Sequence, residues 1–212
     1  MPVEACLTRQ EEPLRPGDAQ DDDPVRRSSL LPRRLSVVKG GAWAHLCATG
    51  FPYPAGMPQV VAEVHVPVSP EVAYAVSQTH GEVRLRWDPF IRKQYFLGGA
   101  TEPAVGVRTR THSRLGPAMT SEYASWRPPT SSGMTMVEGP WFFERFGGGW
   151  RFMPEGDGTR AVWKYTFTTS PAWLRPIADP IGRWLLGHEI RRRIAAFARA
   201  CVDPVVVEAA TR

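Results

Sequence analysis

The chain has 212 residues, 42% of them hydrophobic and 22% charged, with a formal net charge of +5. That balance suits one globular domain with a tail and excludes a fibrous or wholly disordered chain. No apolar run reaches the roughly 18 residues that a membrane-spanning helix needs.

Residues 1–40 predict a disordered tail. Asp21-Asp22-Asp23, Arg26-Arg27 and Arg33-Arg34 are spaced by Pro13, Pro16, Pro24 and Pro32, with little to bury. Acids and bases balance there, so the positive excess lies further on. This N-terminus has none of the apolar stretch of a secretory signal. The cysteines, Cys6, Cys47 and Cys201, are odd in number and widely spaced. They predict reduced thiols in the cytoplasm rather than a disulfide framework or a metal site. Residues 41–58 read as a lead-in arm in which Trp43, Phe51 and Tyr53 pack onto the domain.

The domain itself is expected over 59–203. Val60, Val61, Val64 and Val66 predict a strand over 59–66. Ser69-Pro70-Glu71 is an N-cap, a proline at the first helical position and an early acid, so a short helix runs to about Thr79, where His80-Gly81 stops it. A second short helix ends near Trp87-Asp88-Pro89. Strands follow near 92–97, 104–114, 117–127, 131–138, 142–153 and 159–168, separated by Gly- and Pro-rich turns. Short turns between consecutive strands imply an antiparallel meander. Gly147-Gly148-Gly149 predicts a bulge or a sharp bend in the sheet.

The last element is a helix from Asp179-Pro180 to about Val202, and 204–212 reads as a C-terminal tail. The helix carries two apolar stripes. Leu186, Ile190, Ile194, Phe197 and Cys201 form one; Ile177, Ile181, Trp184 and Leu185 form another, nearly opposite. Either the helix kinks near Gly187, or its first half is apolar all round and faces a pocket on one side and a loop, partner or membrane on the other. The segment 173–187 is expected at the pocket mouth. Arg191-Arg192-Arg193 reads as a solvated helix face. An acidic membrane surface is the alternative contact for it, and no nucleic-acid motif accompanies it.

The order of one strand, two short helices, six strands and a long helix resembles the START-like, or SRPBCC, superfamily of polyketide cyclases/dehydrases and lipid-transport proteins. Val66-Pro67-Val68-Ser69-Pro70-Glu71-Val72-Ala73-Tyr74 is similar to the opening of such domains, and Trp87-Asp88-Pro89-Phe90 to their tryptophan step before the second strand. The resemblance implies an α+β helix-grip fold, in which a curved antiparallel seven-stranded sheet wraps on the C-terminal helix around an apolar pocket. It implies no particular chemistry.

Strand alternation supplies the candidate lining. Ala161, Trp163, Tyr165 and Phe167 share one face, as do Phe146, Trp150 and Phe152; Met134 and Met136 accompany Glu138; Tyr123 accompanies Met119 and Ser121. Arg108, Arg110 and His112 are expected toward solvent. The candidate ligand-binding residues are thus Trp87, Met134, Met136, Trp150, Phe152, Trp163, Phe167, Ile181 and Trp184. Taken singly, each also fits a solid core. Glu138, Tyr123 and Tyr165 are the candidates for chemistry: a carboxylate on an apolar face is a general acid–base group, and tyrosine hydroxyls can hold an enol or carbonyl oxygen. Glu138 also sits at a strand end, where it can reach solvent or an arginine.

Other motifs fail. His188-Glu189-Ile190-Arg191-Arg192 has arginine where the zincin helix needs its second histidine, so no metal is expected. Nothing signals a nucleotide or flavin cofactor. The expected function is binding of an apolar small molecule of lipid, polyketide or isoprenoid type; the alternative is an aromatase/cyclase-like enzyme catalysing aldol cyclisation and dehydration.

Overall fold

A computed structural model of the chain describes residues 57–212. The expectations for the 1–40 tail and for Trp43, Phe51 and Tyr53 of the arm fall outside those residues. The elements are β1 (Gln59–Val66), α1 (Pro70–Ser77), α2 (Gly81–Trp87), β2 (Ile91–Phe96), β3 (Arg108–Ser113), β4 (Ala118–Arg127), β5 (Ser131–Glu138), β6 (Phe143–Glu155), β7 (Gly158–Thr169), a 3-10 turn at Ala172–Leu174, α3 (Arg175–Ala200) and α4 (Pro204–Thr211).

All seven strands join one antiparallel sheet in the order β1-β7-β6-β5-β4-β3-β2. Strands β2 to β7 form the expected meander. β1 closes it by pairing with β7, Val60 opposite Tyr165 and Val66 opposite Thr159. The sheet curls into a half-barrel on α3, and the fold is the expected helix-grip arrangement. Ser69 caps α1 as its sequence predicts, its Oγ accepting from the Val72 N–H at 3.5 Å, with Pro70 opening the helix.

Four local expectations are corrected. The strand expected from 104 begins only at Arg108, because Gly106 adopts φ +85 and turns the chain. The glycine run Gly147–Gly149 stays in an unbroken ladder between β5 and β7, and the register shift of β6 lies at Phe143/Arg145. Gly148 serves close approach instead: a Cβ there would stand 2.7 Å from Cδ1 of Tyr165, so the missing side chain is the space that the tyrosine ring occupies.

The closing helix starts at Arg175, not Asp179. Pro176 lies in its first turn and Pro180 lies inside it, costing one backbone bond. Asp179 is no cap; it accepts a hydrogen bond from the Thr169 hydroxyl at 2.7 Å. Finally, 204–212 is not a loose tail. Asp203 caps a further helix, its Oδ1 accepting from the Val205 N–H at 3.0 Å, and Val206 is fully buried where α4 packs on α1.

The solid core fills one end of the grip. Phe197 of α3 meets Trp150 at 4.7 Å between ring centroids, Trp87 at 5.9 Å and Phe152 at 6.2 Å. Ile190, Ile194 and Cys201 are buried beside it, so the first stripe read from the sequence is the core face of α3. Burying each such side chain stabilises by about 1.5–3 kcal/mol. Among the described residues, no helix is long and apolar enough to cross a membrane.

Candidate functional site

The other end of the grip is hollow. A cavity of about 770 Å³ lies between the concave sheet face and the first half of α3. Met119 and Tyr123 of β4, Met134 and Met136 of β5, Phe146 and Trp150 of β6, and Trp163 and Tyr165 of β7 form its sheet wall. Ile181, Trp184, Leu185 and Leu186 of α3 face it from above. Gly182 lets α3 approach the sheet, since a Cβ there would stand 2.8 Å from Phe167.

Of the candidate ligand-binding residues, Met134, Met136, Trp150, Trp163, Ile181 and Trp184 line this cavity, and Tyr123 and Tyr165 join them. Trp87, Phe152 and Phe167 do not. Trp87 and Phe152 belong to the solid core with Phe197, and the Trp87 indole N–H donates to Thr79 Oγ1 at 2.9 Å. Phe167 is sealed beneath Gly182 and beside Phe143.

Glu138 also stands apart. The register of β4 and β5 shifts between Thr120 and Ser121, so Met136 faces the cavity while Glu138 pairs with Thr120. Its carboxylate accepts from Arg110 at 2.9 Å on the outer, exposed face.

A buried ionic cluster forms the cavity's inner polar wall. Asp88, fully buried, accepts from Arg193 at 3.1 Å (Nε to Oδ1) and 2.7 Å (Nη2 to Oδ2). It also accepts from Arg84 Nε at 2.9 Å, while Arg84 Nη1 donates to the Ser77 carbonyl at 2.6 Å. Burial would raise the Asp88 carboxyl, but the Arg193 and Arg84 guanidiniums outweigh it and hold it at about 2. The Arg193 guanidinium also lies 4.5 Å from the Trp163 ring and 4.7 Å from the Phe90 ring. So Arg193 is no part of a solvated face; of the three arginines only Arg192 is exposed.

Arg193 Nη1 donates to the Tyr165 hydroxyl oxygen at 2.6 Å. That contact leaves the tyrosine's own proton available for an acceptor in the cavity. Burial pushes the Tyr165 hydroxyl up to about 12, against the Arg193 charge, so it is a donor and not a phenolate at neutral pH.

A second polar pair lies on the same wall. The Tyr123 hydroxyl stands 3.3 Å from His80 Nε2. Burial, and then the Arg84 charge, lower His80 to about 4, so its ring is neutral at pH 7. A neutral imidazole carries one donor and one acceptor nitrogen, so His80 Nε2 and the Tyr123 hydroxyl share one hydrogen bond. Burial also keeps the Tyr123 hydroxyl protonated, so this pair presents dipoles rather than charge to the cavity.

Residues 57–202 match the family model described as polyketide cyclase/dehydrase and lipid transport. No curated protein matches the chain. Among solved structures, a protein from Thermus thermophilus superposes with a TM-score of 0.58 at 20% identity, covering 73% of this chain and 100% of that one. A START superfamily protein from Mycobacterium smegmatis gives 0.56 at 16% identity, over 66% of this chain and 94% of its own. A major latex-like protein from Panax ginseng gives 0.53 at 12% identity, over 68% and 97%. At these identities the likeness is one of fold.

Proposed function

This chain belongs to the polyketide cyclase/dehydrase and lipid-transport family, and on that premise we propose that it binds an apolar small molecule of lipid, polyketide or isoprenoid type in the cavity under α3. The observation that carries the proposal is the cavity itself. Its volume of about 770 Å³ falls within the range of small-molecule sites, and its walls are aromatic and methionine side chains. A flat or flexible apolar body fits that lining. One polar end of the ligand meets the Tyr165 hydroxyl, whose oxygen Arg193 holds in place. We further place the protein in the cytoplasm, on the three widely separated cysteines of the sequence.

Native mass spectrometry of the protein isolated from its own host tests this reading. A single co-purified apolar compound, displaced by substitution of Met134 or Trp163, is the expected result. A cavity that retains no compound and takes up no apolar probe overturns it.

The two inward polar pairs favour a second reading, an aromatase/cyclase-like enzyme. Tyr165, backed by Arg193, would hydrogen-bond the carbonyl oxygen attacked by the carbon of a substrate enol, the enol hydroxyl proton passing to that oxygen as the C–C bond forms. Tyr123 with His80 would hydrogen-bond a second oxygen. Tyr165→Phe separates the readings. It lowers turnover far more than binding if chemistry occurs, and lowers only binding if the site is a carrier's.

A further inference from the structure

The cavity mouth carries a feature that ligand binding leaves unexplained. Trp141, Trp173 and Trp184 are 79%, 77% and 70% exposed. Leu115, Ile177, Ile181 and Leu185 are exposed beside them. They come from three separate segments: the β3–β4 turn, the β5–β6 turn, and the 3-10 turn running into α3. Leu115, Trp141, Ile181, Trp184 and Leu185 all line the same opening. Trp173 and Ile177 continue one side of the helix at steps of four toward Ile181. Such a collection of exposed large apolar groups marks an interaction surface, not an ordinary scatter.

The surrounding charge decides what kind of surface it meets. Arg114 follows β3, Arg145 opens β6, and Arg183 lies on α3 between Ile181 and Trp184; all three are exposed. Glu144 is neutralised by its ion pair with Arg175, and Asp179 is half-buried and accepts from Thr169. The three exposed arginines outnumber Asp179, so the collar carries net positive charge around protruding tryptophans. Tryptophan favours the headgroup depth of a bilayer, and exposed arginines favour an anionic one. Side chains projecting from three tips suit a surface that deforms around them better than a flat rigid partner.

We propose that this collar docks the protein onto an anionic lipid membrane with the cavity mouth toward the lipid. The docking rests on the rim residues alone and stands whether or not the cavity holds a ligand. Where it does, an apolar molecule passes between membrane and cavity without crossing water.

The test uses the full chain and two kinds of vesicle: phosphatidylcholine alone, and phosphatidylcholine with phosphatidylglycerol. Co-sedimentation and the tryptophan emission shift are read together. The expected result is binding to the anionic vesicles, weakened by salt as charges are screened. The triple variant Trp141→Ser, Trp173→Ser, Trp184→Ser should lose about tenfold or more in partitioning. Each of Arg114→Gln, Arg145→Gln and Arg183→Gln should lose roughly fivefold. These positions are exposed, so the variants should melt like the parent, and the salt series on the unaltered chain is independent of any variant. Binding to neither vesicle, binding that ignores salt and all six substitutions, or a dimer that the tryptophan variant converts to monomer overturns the proposal. The last outcome would assign the collar to a second copy of the chain.

Discussion

The two halves of α3 are one continuous helix in two opposite environments. From Ile190 to Ala200 it lies in a solid core, where Ile194 and Phe197 are wholly buried and Arg193 is locked to Asp88. From Ile177 to Leu185 its large apolar side chains roof a cavity or stand in water. The sequence offers both halves a comparable set of apolar residues. The difference arises from what the sheet presents to each. Trp150 and Phe152 fill the space under the second half, whereas under the first the Tyr165 ring lies down against Gly148 and, with the methionines of β5, walls an open cavity. The same helix thus holds the fold together at one end and meets a ligand at the other, and substitutions at the two ends should separate stability from binding.

The largest stability loss should come from the junction of the halves. Asp88→Asn leaves two buried guanidiniums without their shared carboxylate, and removal of one partner of a buried pair costs about 3–5 kcal/mol. We expect the upper end of that range by chemical denaturation, because both Arg84 and Arg193 are orphaned. Phe197→Ala comes next, at about 3–4 kcal/mol, since its ring touches three core aromatics that cannot close the gap together. An Asp88→Asn protein as stable as the parent would mean that the cluster contributes little to the core half.

Gly148→Ala attacks the boundary from the sheet side. The added Cβ meets the Tyr165 ring, so the tyrosine must move away from Arg193. The expected cost is about 1–3 kcal/mol, with a loss of apolar-probe affinity that Gly156→Ala, in the remote β6–β7 turn, does not share. Equal probe affinity in both variants would remove Tyr165 from the site.

Acid should lower the protein's stability over two successive pH windows. The unfolded His80 ring takes a proton as pH falls through its ordinary 6.5, but the folded one does so only near 4. Its contribution to stability is therefore complete above about 6.5 and lost between about 6.5 and 4. Asp88, ordinarily at 3.8 and held at about 2, adds a second loss between those values. His80→Gln should flatten the first step of a stability-versus-pH curve and leave the second. A curve unchanged by His80→Gln would show that the ring is not held neutral against the cavity wall.

Much of this division was legible before the fold was in hand. The period-four stripe of Leu186, Ile190, Ile194 and Phe197 marked the core face, and strand alternation put Met134, Trp163 and Tyr165 inward. Alternation failed where the ladder slips. The register shift near Thr120 carries Glu138 to the outer face, and nothing in a run of residue types announces a slip. Alternation also could not tell Phe152, in solid core, from Trp150, on the cavity wall, because both point inward and only the elements opposite them differ. The ionic cluster was missed, because the arginine run read as a solvated face, although its third member carried a signal. Arg193 stands three residues after Ile190 and four before Phe197, a core position on the wheel, and a charge there asks for a buried partner. That partner, Asp88, is 105 residues away in the chain, and no local pattern connects them.

The smallest expected effect on stability sharpens the comparison most. Trp184 is largely exposed yet lines the cavity mouth. Its removal uncovers little core, so Trp184→Ala should change unfolding free energy by no more than about 0.5 kcal/mol. An apolar ligand that reaches the mouth loses contact with the indole face, worth on the order of 1–2 kcal/mol, or about 5- to 30-fold in affinity. Phe197→Ala should do the reverse, costing stability heavily and, where the protein remains folded, shifting probe affinity little, because Phe197 does not line the cavity. Measuring both quantities for both variants is decisive. Parallel losses in each would make α3 one packing element with no separate mouth, whereas opposed losses would locate binding in its first half alone.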